Sequence, residues 1–168
     1  MASGRVIWIT GLAGAGKTTL AKALYRRLPP PCVILDGDEM RETLELLAGG
    51  YEPESRRKLA LTYSRMCLLL AKQGVTVICA TISLFHEVHK WNRLNLPGYV
   101  EVYVEASEEM RLARDSRGVY AAARNEATPL MGSDIAAELP RDPHVTIRQS
   151  GQTADDLVEE VLRYVGDL

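Results

Sequence analysis

One glycine-rich stretch of the chain runs Gly11-Leu12-Ala13-Gly14-Ala15-Gly16-Lys17-Thr18 and matches the pattern G-x-x-x-x-G-K-[ST] at every fixed position. An apolar run, Val6-Ile7-Trp8-Ile9, precedes it, and a helix-forming segment, 19–28, follows. In this context the pattern predicts a loop whose backbone N–H groups surround a phosphate, because a Cβ at the glycines would block the approach. Lys17 is then expected at the β- and γ-phosphates, and the Thr18 hydroxyl at Mg²⁺. The alternative is a glycine-rich turn that only connects a strand to a helix.

Composition indicates one globular domain. The 168 residues are 46% hydrophobic, which is enough for one substantial core, so we expect a single domain over 1–168. The net charge is −2 and no long run of either sign occurs, so neither a nucleic acid polymer nor a membrane is expected as a partner. The first five residues are too few and too polar to precede the apolar part of a signal peptide, which predicts a soluble, cytoplasmic protein. Cys32, Cys67 and Cys79 lack C-x-x-C spacing and are expected to be reduced core thiols.

Strands and helices are predicted to alternate along the chain. The strands are expected over 5–10, 32–35, 75–82, 99–104 and 144–147. The helices are expected over 17–28, 40–48, 53–72, 85–95, 107–115 and 153–165. This alternation predicts an α/β fold of the P-loop NTPase type, a parallel sheet of about five strands with helices on both faces. The segment 117–139 has weak periodicity and many small residues, and is predicted to be a mobile lid beside the nucleotide.

Two aspartates, Asp36 and Asp38, follow the second predicted strand, at the sheet edge where the phosphate loop lies. The chain has no N-K-x-D motif, and its one D-x-x-G match, 115–118, falls in the predicted lid, which argues against a switch GTPase. A small-molecule kinase fits better, since one aspartate can accept the acceptor's proton and help hold hydrated Mg²⁺, while Arg114 and Arg117 cover the phosphates. Spacing does not decide which aspartate has which role, and the pair is also consistent with a helix cap and a turn.

Arg41 lies one helical turn after Asp38. From there its guanidinium could enter the same cleft and bind an anionic acceptor with two hydrogen bonds. The alternative is an exposed, solvated arginine without a role in the site.

The chain resembles the adenylyl-sulfate kinase family from its first predicted strand to its fifth. The residues that carry the resemblance are the phosphate loop with Thr19, Leu35-Asp36-Gly37-Asp38 with Arg41, Gly50-Tyr51 with Pro53 and Arg56, Ile82-Ser83, Glu101-Val102-Tyr103-Val104, Arg114-Asp115 with Arg117-Gly118 and Tyr120, and Gly132 and Asp134 with Glu138 and Pro140. The family uses MgATP to phosphorylate the 3′-hydroxyl of adenylyl sulfate. The resemblance therefore implies a kinase that uses ATP and Mg²⁺, forms a homodimer, and closes a lid over both nucleotides.

The resemblance also implies roles for individual residues. Asp38 would be the general base, and Asp36 would lie near Mg²⁺. Arg41 and Arg56 would bind the anionic part of the acceptor, and Tyr51 would stack on its base. The implied nucleotide-binding positions are Gly11, Ala13, Gly14, Ala15, Gly16, Lys17, Thr18, Thr19, Arg114 and Arg117, and the remaining acceptor positions are Ile82, Ser83 and Leu130, with Arg117 standing where the family usually has lysine.

The departures from the family fall on the acceptor side. Where the family continues after Ile82-Ser83 with proline and an arginine-rich run, this chain has the segment 84–93. Leu59, Leu61 and Thr62 stand where an asparagine and paired arginines are usual, and Leu130 replaces a phenylalanine that completes an aromatic sandwich. Because losing polar groups changes ligand choice sharply, the acceptor could differ from adenylyl sulfate. The segment 84–93 is similar to cytidine diphosphoramidate kinase, which gives an alternative nucleotide acceptor. An alternative of another class is a non-catalytic nucleotide-binding regulatory module, against which the intact Lys17 and the two aspartates argue.

Overall fold

A five-stranded sheet forms the centre of the molecule. In a computed structural model of the protein, the residues described are 4–44, 50–114, 118 and 129–166. The strands are β1 (Val6–Thr10), β2 (Cys32–Asp36), β3 (Thr76–Ala80), β4 (Val100–Glu105) and β5 (Val145–Arg148). They lie in the order β2-β3-β1-β4-β5, and every neighbouring pair is parallel. The predicted parallel α/β sheet is confirmed.

Within the described parts of the chain, six helices surround this sheet. They are α1 (Lys17–Arg27), α2 (Gly37–Thr43), α3 (Pro53–Ala71), α4 (His86–Asn95), α5 (Glu108–Ala113) and α6 (Ala154–Gly166). Among the described residues, no helix has both the length and the apolar character that crossing a bilayer would require.

Two hydrophobic clusters cover the two faces of the sheet. Since successive side chains of a strand point to opposite faces, Ile7 and Ile9 of β1 enter one cluster while Val6 and Trp8 enter the other. The α1/α6 cluster takes its helical residues mainly from α1 and α6, and the α3/α4 cluster takes them mainly from α3 and α4. All five residues of β1 are buried, as expected of a central parallel strand.

Local sequence signals account for the ends of several helices. Pro53 stands in the first turn of α3, where a missing N–H costs nothing. Ser107 caps α5 by accepting a hydrogen bond from the Met110 backbone N–H at 3.2 Å. Thr153 and Asp156 form a capping pair at the start of α6, since each side chain accepts a hydrogen bond from the other residue's backbone N–H.

Two elements around the cleft differ from their predicted bounds. The helix predicted over 40–48 begins at Gly37, because the Asp36 side chain caps it, and it ends at Thr43. Residues 45–48 of the predicted helix lie outside the described residues. The strand predicted to reach Ile82 ends at Ala80, and the chain then leaves the sheet in an irregular segment before α4. Both differences bring polar side chains to the carboxyl edge of the sheet.

The predicted lid is only partly described. Residues 129–139 pack on the sheet: Met131 and Ile135 are buried in the α3/α4 cluster, and the Glu138 N–H donates to the Leu84 carbonyl at 3.1 Å. Arg117 and the segment 119–128 lie outside the described residues.

Candidate active site

The phosphate loop connects β1 to α1 in a conformation that favours glycine. Gly14 and Gly16 have φ angles of 75° and 97°, in the left-handed region. A Cβ on Gly11 would lie 2.4 Å from the Val104 carbonyl oxygen, so this residue lets the loop pass against β4. The glycines of the pattern therefore shape a loop at the N-terminus of α1, where backbone N–H groups and the helix dipole favour an anion.

Side chains at the end of this loop meet the end of β2. The Thr18 hydroxyl donates to Asp36 Oδ2 at 2.6 Å, while Asp36 Oδ1 accepts the Asp38 backbone N–H at 3.0 Å. Asp36 is only 4% exposed, and both of its carboxylate oxygens have partners. Lys17 Nζ donates to the Leu12 carbonyl at 2.8 Å, which places the ammonium group across the loop. The hydrogen bond between Thr18 and Asp36 thus connects the loop and helix that follow β1 to the end of β2, although β3 lies between these two strands.

The two aspartates have different surroundings. Asp36 caps α2, as the helix-cap alternative predicted, and also binds the Thr18 hydroxyl. Asp38 lies in the first turn of α2, is exposed, and lines the cleft. The carboxylate of Asp38 is therefore accessible to a ligand, and that of Asp36 is held by the protein.

A cleft of about 390 Å³ collects most of the predicted site. Of the predicted residues, those that line it are Ala13, Gly14, Gly16, Lys17, Thr18, Thr19, Asp36, Asp38, Arg41, Arg56, Ile82, Ser83 and Arg114. The phosphate loop, the aspartate pair and the acceptor positions therefore share one cavity.

Arginines lie at the end of the cleft formed by α2 and α3. Arg41 Nη2 donates to the Gly50 carbonyl at 2.9 Å. Arg56 donates from Nε to the Tyr51 carbonyl and from Nη2 to the Pro129 carbonyl, both at 2.7 Å. Burial and the nearby Arg41 guanidinium lower the pKa of Arg56. Two cationic groups held close together in this way are suited to an anionic ligand.

Four predicted residues are placed outside the cleft lining. Gly11 and Ala15 are buried in the frame of the phosphate loop. Tyr51 is 45% exposed, and its ring lies against the guanidinium carbons of Arg41 and Arg56, 4.1 and 5.1 Å from the ring centroid. Leu130 is buried beside the cleft. Arg117 lies outside the described residues.

Several cleft residues were not among the predicted ones. Leu59 and Tyr63 of α3, Phe85 before α4, and Met131 form apolar parts of the wall. The Tyr63 hydroxyl also donates to the Gly37 carbonyl at 3.2 Å, and burial raises the pKa of this phenol. The helical periodicity of α3 indicated that Leu59 and Tyr63 face inward, but periodicity does not separate a core position from the wall of a cleft.

A second cleft, of about 280 Å³, adjoins the phosphate loop on the side of α6. Arg114 lines both clefts, and its Nη1 donates to the Gln149 side-chain oxygen at 3.1 Å. Gln149 and Gln152 were also not predicted as site residues, since they lie in a polar stretch after β5 that carries no motif.

Comparisons with known proteins agree with this geometry. The family model described as adenylylsulphate kinase matches residues 3–148. A cytidine diphosphoramidate kinase of Campylobacter jejuni is 36% identical, covering 94% of each chain, and a probable adenylyl-sulfate kinase of Pyrococcus abyssi is 38% identical, covering 98% of this chain and 97% of the relative. The structure of the Mycobacterium tuberculosis APS kinase in complex with AMPPNP and APS superposes with a TM-score of 0.89 at 26% identity, covering 99% of each chain.

The match therefore extends over nearly the whole chain and includes both the phosphate loop and the aspartate pair. Sequence and structure lead to the same conclusion. The chain belongs to the adenylyl-sulfate kinase family, whose members are phosphotransferases acting on a hydroxyl group.

Proposed function

We propose that this chain transfers the γ-phosphoryl group of ATP to a ribose 3′-hydroxyl of a small anionic nucleotide, with adenylyl sulfate as the first acceptor to test. One observation carries this proposal. A single cleft holds a phosphate loop, the buried Asp36, the exposed Asp38, and two arginines. This is the set of groups that phosphoryl transfer between two bound nucleotides needs.

The donor nucleotide binds at the phosphate loop. The backbone N–H groups of the loop and the Lys17 ammonium neutralise the β- and γ-phosphates. Arg114 lies at the junction of the two clefts, so its guanidinium can contact the phosphate chain. These groups also stabilise the charge that spreads over the γ-phosphoryl oxygens during transfer.

Mg²⁺ fits the residues at the loop's end. Thr18 and Asp36 offer a hydroxyl and a carboxylate 2.6 Å apart, and oxygen atoms of these two kinds are the ligands that Mg²⁺ prefers. When bound, Mg²⁺ supplies positive charge to the β- and γ-phosphate oxygens. The hydrogen bond from the Thr18 hydroxyl holds one oxygen of the buried carboxylate in place.

Asp38 is the general base in this proposal. As the acceptor hydroxyl oxygen bonds to the γ-phosphorus, the bond to the bridging oxygen of ADP breaks and the hydroxyl proton passes to the Asp38 carboxylate. The different surroundings of the two aspartates support this assignment, because Asp38 is exposed at the cleft while both Asp36 oxygens are occupied.

The acceptor binds with its anionic group at Arg41 and Arg56. Both arginines line the cleft, and their hydrogen bonds to backbone carbonyl groups hold the guanidinium groups in place. A bound anion would accept hydrogen bonds from the same guanidinium groups. Arginine suits this role better than the more flexible lysine, because its planar group holds several N–H donors in fixed directions.

Cytidine diphosphoramidate is a second candidate acceptor. Leu59 and Phe85 line the cleft in regions where the chain departs from the usual family sequence, and they make part of its wall apolar. The similarity to the Campylobacter jejuni enzyme supports this candidate independently.

A coupled assay of ADP release tests the proposed function. The purified protein is given MgATP with adenylyl sulfate or cytidine diphosphoramidate in separate reactions, and Lys17→Ala serves as the inactive control. Turnover with adenylyl sulfate supports the first acceptor, and turnover with the cytidine compound alone assigns the second. Binding of ATP without turnover of either compound contradicts both acceptors and favours the non-catalytic module.

The chain is also proposed to form a homodimer, which the family resemblance supports. Light scattering after size-exclusion chromatography measures the mass directly. A mass near twice the 18.6 kDa of one chain is expected, and a monomer at working concentrations would contradict the assembly.

A further inference from the structure

The segment between β3 and α4 forms one wall of the cleft, which we call the acceptor wall (Thr81, Ile82, Ser83 and Phe85). Ser83 has a φ of +30°, and among the described residues it is the one non-glycine residue with a positive φ. Such a conformation is costly for a residue with a Cβ and persists where neighbouring contacts impose it. The contacts of Ser83 therefore decide the shape of this wall.

Three hydrogen bonds hold Ser83. Its hydroxyl lies 2.8 Å from the Thr81 hydroxyl oxygen, and its carbonyl accepts the Phe85 backbone N–H at 3.0 Å. These two bonds are local to the turn. The third comes from α4, where His89 Nε2 lies 3.1 Å from the same carbonyl. The Thr10 hydroxyl holds the neighbouring Ile82 carbonyl to β1, and His89 is the side chain that links the Ser83 carbonyl to α4.

The chemistry of this contact specifies the His89 tautomer. A carbonyl oxygen only accepts hydrogen bonds, so the hydrogen must be on Nε2. His89 is 5% exposed, and burial lowers the pKa of its imidazole to about 4, outweighing the hydrogen bond to Ser83, which raises it. The His86 and Arg93 charges lower this pKa further and Glu138 raises it. At neutral pH the ring is therefore neutral, with its proton on Nε2.

A buried carboxyl group faces the other side of the ring. Glu101 of β4 has a side chain that is 1% exposed, and its Oε1 lies 3.6 Å from His89 Nδ1. Its Oε2 accepts hydrogen bonds from Arg93 Nη2 at 2.8 Å and from the Tyr99 hydroxyl at 3.3 Å. His89 and Arg93 are four residues apart and so lie on one face of α4. Glu101 thus connects this helix face to the sheet.

This carboxyl group is suited to face an unprotonated imidazole nitrogen. Burial raises the pKa of Glu101, against the opposing effect of Arg93. His89 Nδ1 lies 3.6 Å from Glu101 Oε1, which is a packing contact and not a hydrogen bond. The buried cluster therefore lies against the edge of the His89 ring that is opposite Ser83.

We propose that His89 is a positioning residue for acceptor binding: its Nε2–H holds the Ser83 carbonyl, while the buried Glu101 side chain packs against the opposite edge of its ring. This inference rests on the proposed function, because it assumes that the acceptor wall contacts the acceptor. His89 itself does not line the cleft, so it acts through Ser83.

Steady-state kinetics of three variants tests this role. His89→Leu removes the N–H donor at similar volume, His89→Gln keeps a donor on its side-chain amide, and Val88→Ala weakens the same buried helix without touching Ser83. For the acceptor that the wild type phosphorylates, His89→Leu is expected to raise the acceptor KM about tenfold and leave the ATP KM within about twofold. His89→Gln should recover most of the acceptor affinity. Val88→Ala should lower Tm without changing the acceptor KM.

Three kinetic results would overturn the role: an unchanged acceptor KM in His89→Leu, an equal rise in Val88→Ala, or no recovery in His89→Gln.

A measurement on the wild type needs neither a variant that folds nor a known acceptor. The chain has three histidines, so ¹⁵N spectra of the imidazole groups can assign the tautomer of each. A proton on Nε2 of His89 at pH 7 supports the contact with Ser83, and a neutral ring protonated on Nδ1 contradicts it. If the Nε2 tautomer is found but the protein phosphorylates neither nucleotide, the proposed acceptors are wrong, while the contact between His89 and the Ser83 carbonyl is supported.

Discussion

The two ends of the cleft are built differently. At the proposed donor end, the phosphate loop and α1 are contiguous in the chain, and the φ angles of Gly14 and Gly16 give the backbone a shape that is suited to an anion. At the acceptor end, Arg41, Arg56 and Ser83 come from three separate elements and are held by contacts between side chains and distant carbonyl groups. A site formed by a particular backbone conformation tolerates few substitutions in its sequence. A site formed by side chains from separate elements can be altered by substituting one residue at a time. This difference explains why the chain keeps the family pattern at the donor end and departs from it at the acceptor end.

Lys17→Ala gives the largest expected effect and tests the donor end. Loss of the ammonium group that neutralises the phosphates should reduce turnover by about 10³-fold or more, to the background of the ADP-release assay. Lys22→Ala is a matched control, because Lys22 is an exposed lysine of the same helix. If Lys17→Ala and Lys22→Ala lost turnover to a comparable extent, α1 would be intolerant of any substitution, and the specific role of Lys17 would be contradicted.

Asp38→Asn tests the junction between the two ends. The amide cannot accept the hydroxyl proton, so kcat should fall by roughly 10²–10⁴-fold under conditions where chemistry limits the rate. Glu39→Gln removes the neighbouring exposed carboxylate of α2 and should leave kcat nearly unchanged. An unchanged kcat in Asp38→Asn would reassign the general base.

Arg41→Ala tests the acceptor end alone. Loss of a charged hydrogen-bond donor should raise the acceptor KM about 10- to 100-fold and change the ATP KM little. Arg57→Ala is the control, since Arg57 pairs with Glu54 and Glu87 on the surface of α3 and does not line the cleft. An equal loss of ATP affinity in Arg41→Ala would show that the two ends are not separable.

Thr153→Ala gives the smallest expected effect and concerns an element that supports the donor end from a distance. The hydrogen bonds to Thr153 lower the pKa of Asp156, so the stability that this pair contributes is present above the ordinary aspartate pKa and is lost as the pH falls through the lowered value. The variant should have a slightly lower Tm at pH 7 and unchanged KM values. Differential scanning calorimetry at pH 7 and at a pH below the lowered pKa measures the contribution. It should decrease at the lower pH, where only the hydrogen bond from the Asp156 backbone N–H to the Thr153 hydroxyl persists.

Prediction from the sequence succeeded where a structure depends on residues that are close in the chain. The glycine pattern specified the phosphate loop, and strand polarity placed Asp36 and Asp38 beside it. Sequence patterns did not identify Met131 as part of the cleft wall. Which side chains of a turn face a cleft depends on the surface against which the turn packs, and spacing in the sequence does not specify that surface. The same limit applies to Tyr51, whose ring lies against Arg41 through contacts that spacing does not specify.

The division of the hydrophobic core by the sheet has a consequence for the evolution of this enzyme. Ile7 and Ile9 anchor the α1/α6 cluster beneath the donor end, while Val6 and Trp8 anchor the α3/α4 cluster, which supports α2, α3 and the acceptor wall. Since a full strand layer separates the two clusters, a lineage can repack one side without disturbing the other. New acceptors can therefore be acquired by substitutions on one side of the sheet while the machinery for using ATP is inherited intact.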